Sequence, residues 1–200
     1  MRAGRLLLAV TLAGIVAGCA GATEPLTDPE VPLFSTPAPP GSLDGRPVPE
    51  SCLEVASAEE LSTILGTLVT GEPRPVVGVP QDNIGRTARL DCYYGVPAGK
   101  PTSAATVWIG LASYTDAQSA RRRLTNTVAD ERAAGARVSD VPVGPDRGVL
   151  LRGTTWMLVA VRGATTVVAT VRPNLVREDQ AGAILGELAD AVLKPREPAG

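Results

Sequence analysis

Residues 147–172 read RGVLLRGTTWMLVAVRGATTVVATVR, and no other stretch says as much about the type of fold. Three apolar runs, rich in the β-branched residues that strands favour, follow one another closely. They span 147–152, 154–162 and 165–172. Gly153 and the pair Gly163-Ala164 stand between the runs, and glycine at such short connections is typical of hairpins. The stretch therefore predicts three antiparallel strands.

The last of these runs alternates between polar and apolar side chains. Thr166, Thr170 and Arg172 fall on one side, and the residues between them are apolar. The apolar set is Val167, Ala169 and Val171. Antiparallel sheets often have one solvated and one buried face, so we expect a wet face and a dry face here.

Two further strands are predicted upstream, at 87–94 and 104–112. The first alternates, with Leu90, Cys92 and Tyr94 on its apolar side, and the second places Trp108 on the opposite face from its aliphatic residues. Residues 71–86 contain three prolines and two further glycines after Gly71, which predicts a long loop that can include a short strand at 76–79.

Helices are predicted before, between and after these strands. Ser57-Ala58-Glu59-Glu60 matches a capping box, and Leu61, Ile64, Leu65 and Leu68 follow at helical spacing. A second capping-box match at Thr115–Gln118 predicts a helix to about residue 134, and an apolar stripe predicts a third helix over 175–193. The expected fold is α+β, in the order α-β-β-α-β-β-β-α, with about five antiparallel strands and the helices packed on one face.

The N-terminus has the pattern of an export signal. Two arginines precede 13 uncharged residues, and Val16-Ala17-Gly18-Cys19 resembles the bacterial lipobox, in which a small residue precedes a cysteine. Residues 1–18 are thus expected to form a lipoprotein signal peptide, and the thiol of Cys19 to carry the lipid. The alternative is an ordinary signal peptide with an incidental cysteine.

A proline-rich stretch separates this signal from the folded part. Residues 20–50 contain eight prolines and no helical or alternating pattern, which predicts a disordered tether rather than a docking motif. The expected organisation is signal peptide 1–18, lipidated cysteine and tether 19–50, an extracytoplasmic domain 51–195 and a disordered tail 196–200.

Cys52 and Cys92 are the remaining cysteines of the chain. Two cysteines in an exported domain most often form one disulfide, and no CxxC motif favours a redox site instead. With Cys19 assigned to the lipid, the sequence predicts a Cys52–Cys92 bridge.

The composition excludes several kinds of function. The chain has no histidine, so catalytic triads, Cys-His pairs and ordinary His-liganded zinc sites are absent. With 19 basic and 21 acidic residues, nucleic-acid binding is not expected. Arg121-Arg122-Arg123 are consecutive and fan around a helix, which predicts a solvated face rather than one basic patch. We expect no cofactor and no metal.

The chain resembles a family of actinobacterial exported lipoproteins of unknown function, and its domain is similar to the extracellular sensor domain of mycobacterial receptor serine/threonine kinases. The matching features, after the lipobox and the tether, are a cysteine before the first helix, Cys92-Tyr93, the turn Gly144-Pro145-Asp146-Arg147-Gly148 and the hairpin 161–168. The family turn commonly reads Gly-x-Gly-Asp-x-Ala, and Pro145 and Gly148 depart from it. The resemblance implies an extracytoplasmic α+β domain that binds a ligand or partner, and it implies no catalytic residue.

The sequence therefore favours a non-catalytic binding module, held on the extracytoplasmic side of the cell membrane by its lipid, with an envelope protein or small ligand as partner. Scarce aromatic residues often anchor interfaces, which makes Tyr93, Tyr94, Trp108 and Trp156 the candidate contacts, unless they fill the core. A carrier of lipid or another hydrophobic ligand is the alternative. An enzyme is not expected, because no histidine is present and neither lysine lies in a context that suggests burial beside a serine.

Overall fold

Seven strands form one antiparallel sheet in the computed structural model, which describes residues 45–195. The strands are β1 (Arg74–Gly78), β2 (Arg86–Tyr94), β3 (Val107–Tyr114), β4 (Arg137–Val143), β5 (Asp146–Arg152), β6 (Trp156–Arg162) and β7 (Thr165–Val171). The helices are α1 (Cys52–Val55), α2 (Ala58–Leu65), α3 (Ala117–Ala133) and α4 (Ala181–Leu193). All described residues belong to one unit of the chain.

The sheet has the order β1-β2-β3-β7-β6-β5-β4. The chain forms β1 to β3 as a meander, crosses the sheet through α3 to the far edge, and returns by three hairpins until β7 pairs with β3. The three strands expected within 147–172 are therefore β5, β6 and β7. They occupy the middle of the sheet together with β3.

The expectation of about five strands was wrong, and both additional strands are edges of the sheet. β1 carries Pro75 and β4 carries Pro142, and proline is tolerated in a sheet at an edge because one row of N–H groups there needs no partner. β4 also carries Arg137, Ser139 and Asp140, and polar side chains of this kind protect an edge strand from pairing with other chains. The short strand that the sequence allowed at 76–79 overlaps β1, whereas no strand was expected at β4.

The expectation that the helices pack on one face was also wrong. α1, α2 and α4 cover the first face, where the largest apolar cluster lies. α3 covers part of the second face, with Leu124 and Val128 against Val149, Leu151 and Val159 of β5 and β6. The supposedly wet face of β7 is therefore partly covered, and Thr166 and Thr170 on it are buried.

The helix starts follow local chemistry. Ser57 and Glu60 form a complete capping box at α2, which ends at Gly66 with a φ of 63°. α3 begins one residue later than expected, because the carboxylate of Asp116 accepts a hydrogen bond from the Ser119 N–H and acts as the N-cap.

The predicted disulfide is present between Cys52 and Cys92, with Cα atoms 5.6 Å apart. It joins α1 to β2, and the Tyr94 hydroxyl donates a hydrogen bond to the Cys52 carbonyl beside it. The N-terminal edge of the first face is thus attached covalently to the sheet.

Residues 45–50, which the sequence assigned to the tether, lie against the domain. Arg46 is buried, its guanidinium donates to the carbonyl of Val192, and its own carbonyl accepts from the Thr165 hydroxyl at 2.6 Å. Val48 packs against the first-face core. Residues 1–44 and 196–200, which include Cys19, the signal segment and the tail, lie outside the described part.

The turn between β4 and β5 is locked to α4. Gly144 has a φ of 57°, and a Cβ there would lie 2.1 Å from Oδ1 of Asp190. Asp190 and Asp146 both accept hydrogen bonds from the buried Arg162, at 2.9 and 2.6 Å. The Gly-Asp turn noted in the sequence is therefore a contact between the β4–β5 hairpin and the last helix.

Candidate functional site

The four candidate aromatic residues divide between the two faces of the sheet. Tyr94 is fully buried, and Trp156 is 8% exposed within the same first-face core. Tyr93 and Trp108 lie on the second face and remain partly exposed. The structure therefore brings Tyr93 and Trp108 together and places the other two in the core.

Tyr93 and Trp108 form a stacked pair. They are direct cross-strand neighbours on β2 and β3, their ring centroids are 6.0 Å apart, and the ring planes differ by 9°. Burial, with a smaller contribution from Asp91, raises the pKa of the Tyr93 phenol. The pair presents a flat, partly open aromatic surface, which is an arrangement suited to contact with another molecule.

A buried acidic residue holds this surface in place. Asp91 is 6% exposed and accepts from the Trp108 indole N–H at 3.1 Å. It also accepts two hydrogen bonds from Arg89, at 2.7 and 3.0 Å. The hydrogen bond to Asp91 raises the pKa of Arg89 against the opposing effect of burial. Because Asp91 is bonded on both oxygens, it fixes the orientation of the indole.

This arrangement requires glycine at position 110. Gly110 is the β3 neighbour of Asp91, and a Cβ there would lie 2.6 Å from Asp91 Oδ1. Real Cβ contacts are essentially never that short, so any larger residue would displace the Asp91 side chain. The glycine also leaves open space on the sheet beside the indole.

A cleft of about 180 Å³ lies between this part of the sheet and α3. Trp108, Gly110 and Met157 are among the sheet residues that line it. The lining residues from α3 are Arg123, Thr127, Asp130 and Glu131. The cleft thus combines an aromatic wall, a floor of small and apolar side chains and a charged helical rim, which is the usual make-up of a small binding site.

A second cavity of about 270 Å³ lies on the first face, between α2 and α4. Its walls are mainly apolar, with Ile64, Leu188 and Val192, and Glu59 and Glu60 stand at its rim. None of the candidate aromatic residues lines it.

The described residues offer little for other chemistry. Within 45–195 no group of three or more potential ligands could hold a metal ion. No helix in that part of the chain has the length and hydropathy to cross a bilayer. Lys194 is paired with Asp190 at 2.8 Å, close to the end of α4.

Sequence reasoning missed most of the residues that complete the site. Strand alternation does place Arg89, Asp91 and Tyr93 on one face, but it does not show that the face remains open. The spacing of Arg123 and Thr127 likewise defines one face of α3 without showing what that face opposes. Gly110 carried no signal by itself, since its role depends on a neighbouring strand.

No family model and no curated protein matches the sequence. Among solved structures, the extracellular domain of PknH from Mycobacterium tuberculosis is similar, at 16% sequence identity and a TM-score of 0.44. The match covers 74% of this chain and 97% of that domain.

Proposed function

We propose that this chain is a membrane-anchored lipoprotein whose extracytoplasmic α+β domain binds a ligand or partner without catalysing a reaction. The observation that carries the binding role is the cleft beside the Tyr93–Trp108 pair. An aromatic surface that is partly open, yet held by the buried Asp91 and its partner Arg89, is pre-organised for contact, and pre-organisation lowers the entropic cost of binding.

The proposed location rests on the N-terminal sequence and on the cystine. The lipobox-like Val16-Ala17-Gly18-Cys19 supports lipidation, and two acyl chains hold a protein stably on a membrane. The Cys52–Cys92 bridge supports an oxidising compartment, because disulfides rarely persist in the cytosol.

The absence of catalysis is proposed from the residue types available. Serine and threonine are the remaining nucleophiles, and without histidine they would need a buried lysine as the base. Lys100 lies in an exposed loop, and Lys194 is an exposed partner of Asp190. Neither lysine is placed to activate a serine.

The cavity sizes do not favour the lipid-carrier alternative. The two cavities measure about 180 and 270 Å³, whereas sites for drug-sized ligands occupy about 300–1,000 Å³. An acyl chain would need a larger, mostly apolar space, and the cleft beside Trp108 has a charged rim. A small ligand or a single side chain of a partner fits better.

Crosslinking in intact cells tests the binding role. We expect the wild-type chain to crosslink to an envelope component and Trp108→Ala to lose most of that product, because the variant removes the aromatic wall. Leu68→Ala is the matched control, since Leu68 is 78% exposed and lies outside the cleft. Equal crosslinking of both variants, or no product above background, would count against the proposal.

Membrane fractionation tests the anchor separately. A Cys19→Ser chain should leave the membrane fraction, whereas the wild-type chain should remain in it and respond to inhibition of the lipoprotein signal peptidase. If the variant remains in the membrane fraction, the proposed lipid anchor is wrong, and the proposed binding role of the cleft is unaffected.

A further inference from the structure

We infer that the cleft beside Trp108 binds an organic cation, meaning an alkylammonium or guanidinium group. This inference rests on the proposed binding function and names the chemistry of its ligand. Such a group can come from a lysine or arginine side chain of a partner protein or from a free amine.

One end of the cleft carries two carboxylates that none of the described ion pairs neutralises. Asp130 and Glu131 line it from α3, and neither takes part in any of the ion pairs found among residues 45–195. Arg123 lines the same cleft, but none of the ion pairs among the described residues joins it to either carboxylate. Arg89 is already bonded to both oxygens of Asp91.

The surface opposite the acidic rim is aromatic and apolar. Trp108 and Met157 line the cleft from the sheet, with Gly110 and Val168 beside them. A cation is attracted to an aromatic ring, most strongly to tryptophan. The methylene stem of a lysine or arginine can lie along small and apolar side chains while its charged end remains near carboxylates.

One hydroxyl in the cleft has no hydrogen-bond partner among residues 45–195. Thr166 lines the cleft and is 4% exposed, and none of the hydrogen bonds among the described residues uses its hydroxyl. Its oxygen is not one of the fully enclosed unpartnered atoms, so it is open to the cleft and can accept from an N–H of a ligand. Thr170, four residues further along the same face of β7 and next to Trp108 in register, also has an unpartnered hydroxyl, but it does not line the cleft.

The size of the cleft agrees with a single such group. A protein cavity of roughly 150 Å³ is large enough for a benzene molecule, which has six heavy atoms. A volume of about 180 Å³ therefore has room for one lysine or arginine side chain.

Titration observed at the tryptophan indole N–H groups tests this inference. The chain has two tryptophans, so an NMR spectrum of the Cys19→Ser chain contains two such signals, and Trp108→Phe identifies the one in the cleft. We expect Nα-acetyl-arginine amide to shift the Trp108 signal saturably and to leave Trp156 unchanged. Nα-acetyl-glutamate amide, which has the opposite charge, should have no effect.

The double variant Asp130→Asn/Glu131→Gln should weaken binding of the arginine amide by about tenfold, the effect expected when a charged partner is neutralised. Asp140→Asn/Glu187→Gln is the matched control, because it removes the same two charges outside the cleft and should leave affinity unchanged. Equal weakening by both pairs would overturn the inference, since it would reflect only the net charge of the protein.

Glucosamine, a free amine, provides the second arm. Tighter binding of the arginine amide supports a partner side chain, and tighter binding of glucosamine supports a free amine. Absence of saturable shifts with either probe at tens of millimolar overturns the inference. If crosslinking still depends on Trp108 in that case, the cation assignment fails and the binding function stands.

Discussion

The two faces of the sheet differ in how completely they are covered. The first face lies under α1, α2 and α4, is attached to α1 by the cystine, and contains most of the fully buried side chains of the described residues. The second face lies under α3 alone, which leaves the Tyr93–Trp108 pair partly open. The buried side chains that stabilise the fold are therefore concentrated on the first face, whereas the groups that a ligand can contact lie on the second face.

The same division occurs within the single strand β2. Leu90, Cys92 and Tyr94 point into the first-face core, and the residues that alternate with them, Arg89, Asp91 and Tyr93, form part of the site. Because neighbouring residues of a strand face opposite ways, one segment can serve both the core and the site. Substitutions on the two faces should then have separable effects.

The largest expected effect is loss of the bridge that attaches the first face. Cys52→Ser/Cys92→Ser should lower the free energy of unfolding by about 4 kcal/mol, the loop-entropy value for cysteines 40 residues apart. Urea unfolding under oxidising conditions measures it, with reduced wild-type protein as the control. Unchanged stability in both would show that the first face does not depend on the cystine.

A pair of core truncations compares the faces directly. Ile109 is fully buried on the first face, and Ile109→Ala should cost about 3 kcal/mol of unfolding free energy. Val168 lies one strand away on the second face and is partly exposed, so Val168→Ala should cost about 1 kcal/mol. Equal costs from urea unfolding would contradict the difference between the two faces.

An acid titration tests the contact between α4 and the β4–β5 hairpin. Burial opposes ionisation of Asp190, but hydrogen bonds from Lys194 and Arg162 outweigh it and hold the pKa below its usual value. The folded state thus binds this proton more weakly than the unfolded state. The stabilisation is complete above the unfolded-state pKa, about 3.9, and is lost as pH falls through the lower folded-state pKa.

Asp190→Asn should accordingly be less stable than wild type at pH 7. The difference in stability between the two proteins should become smaller as the solution is acidified from about pH 5. Thermal unfolding across that range measures it. The Trp108 indole signal should remain in place, because Asp190 belongs to the first face. If the difference in stability does not change with pH, the ion pairs of Asp190 contribute no charge-dependent stability.

The smallest expected effect is on the outer side of α3. Arg121 is exposed, and its side chain takes part in none of the hydrogen bonds or ion pairs found among residues 45–195, so Arg121→Ala should change the free energy of unfolding by less than about 0.5 kcal/mol. Urea unfolding measures this as well. A larger loss would mean that the second face is supported by more than the apolar stripe of α3.

Parts of the fold could be read from the chain because they depend on local chemistry. The capping box at Ser57, the glycines at the β5–β6 and β6–β7 turns and the alternation in β2 all involve residues within a few positions of one another. Of the two edge strands, β1 overlaps the short strand that the sequence allowed at 76–79, whereas β4 was not predicted, and its Pro142 is acceptable because β4 lies at an edge of the sheet.

The sequence contains a sign that the second face is covered, but the alternation of polar and apolar residues in β7 points the other way. Val149, Leu150 and Leu151 of β5 are consecutive and all buried, which is typical of a strand covered on both faces. β7 instead shows threonines where α3 packs, and threonine can be buried as readily as exposed in such a place. One strand taken alone therefore misrepresented the sheet.

By itself the sequence determined the central hairpins, because turn residues and periodicity act over short distances, and it predicted the Cys52–Cys92 bridge once Cys19 was assigned to the lipid. Only the tertiary structure decided which strands lie at the edges, that α3 takes the second face, and that Trp108 is partly open while Trp156 is buried. The physical reason is that periodicity separates the two sides of a strand, whereas the cover on each side comes from segments distant in the chain.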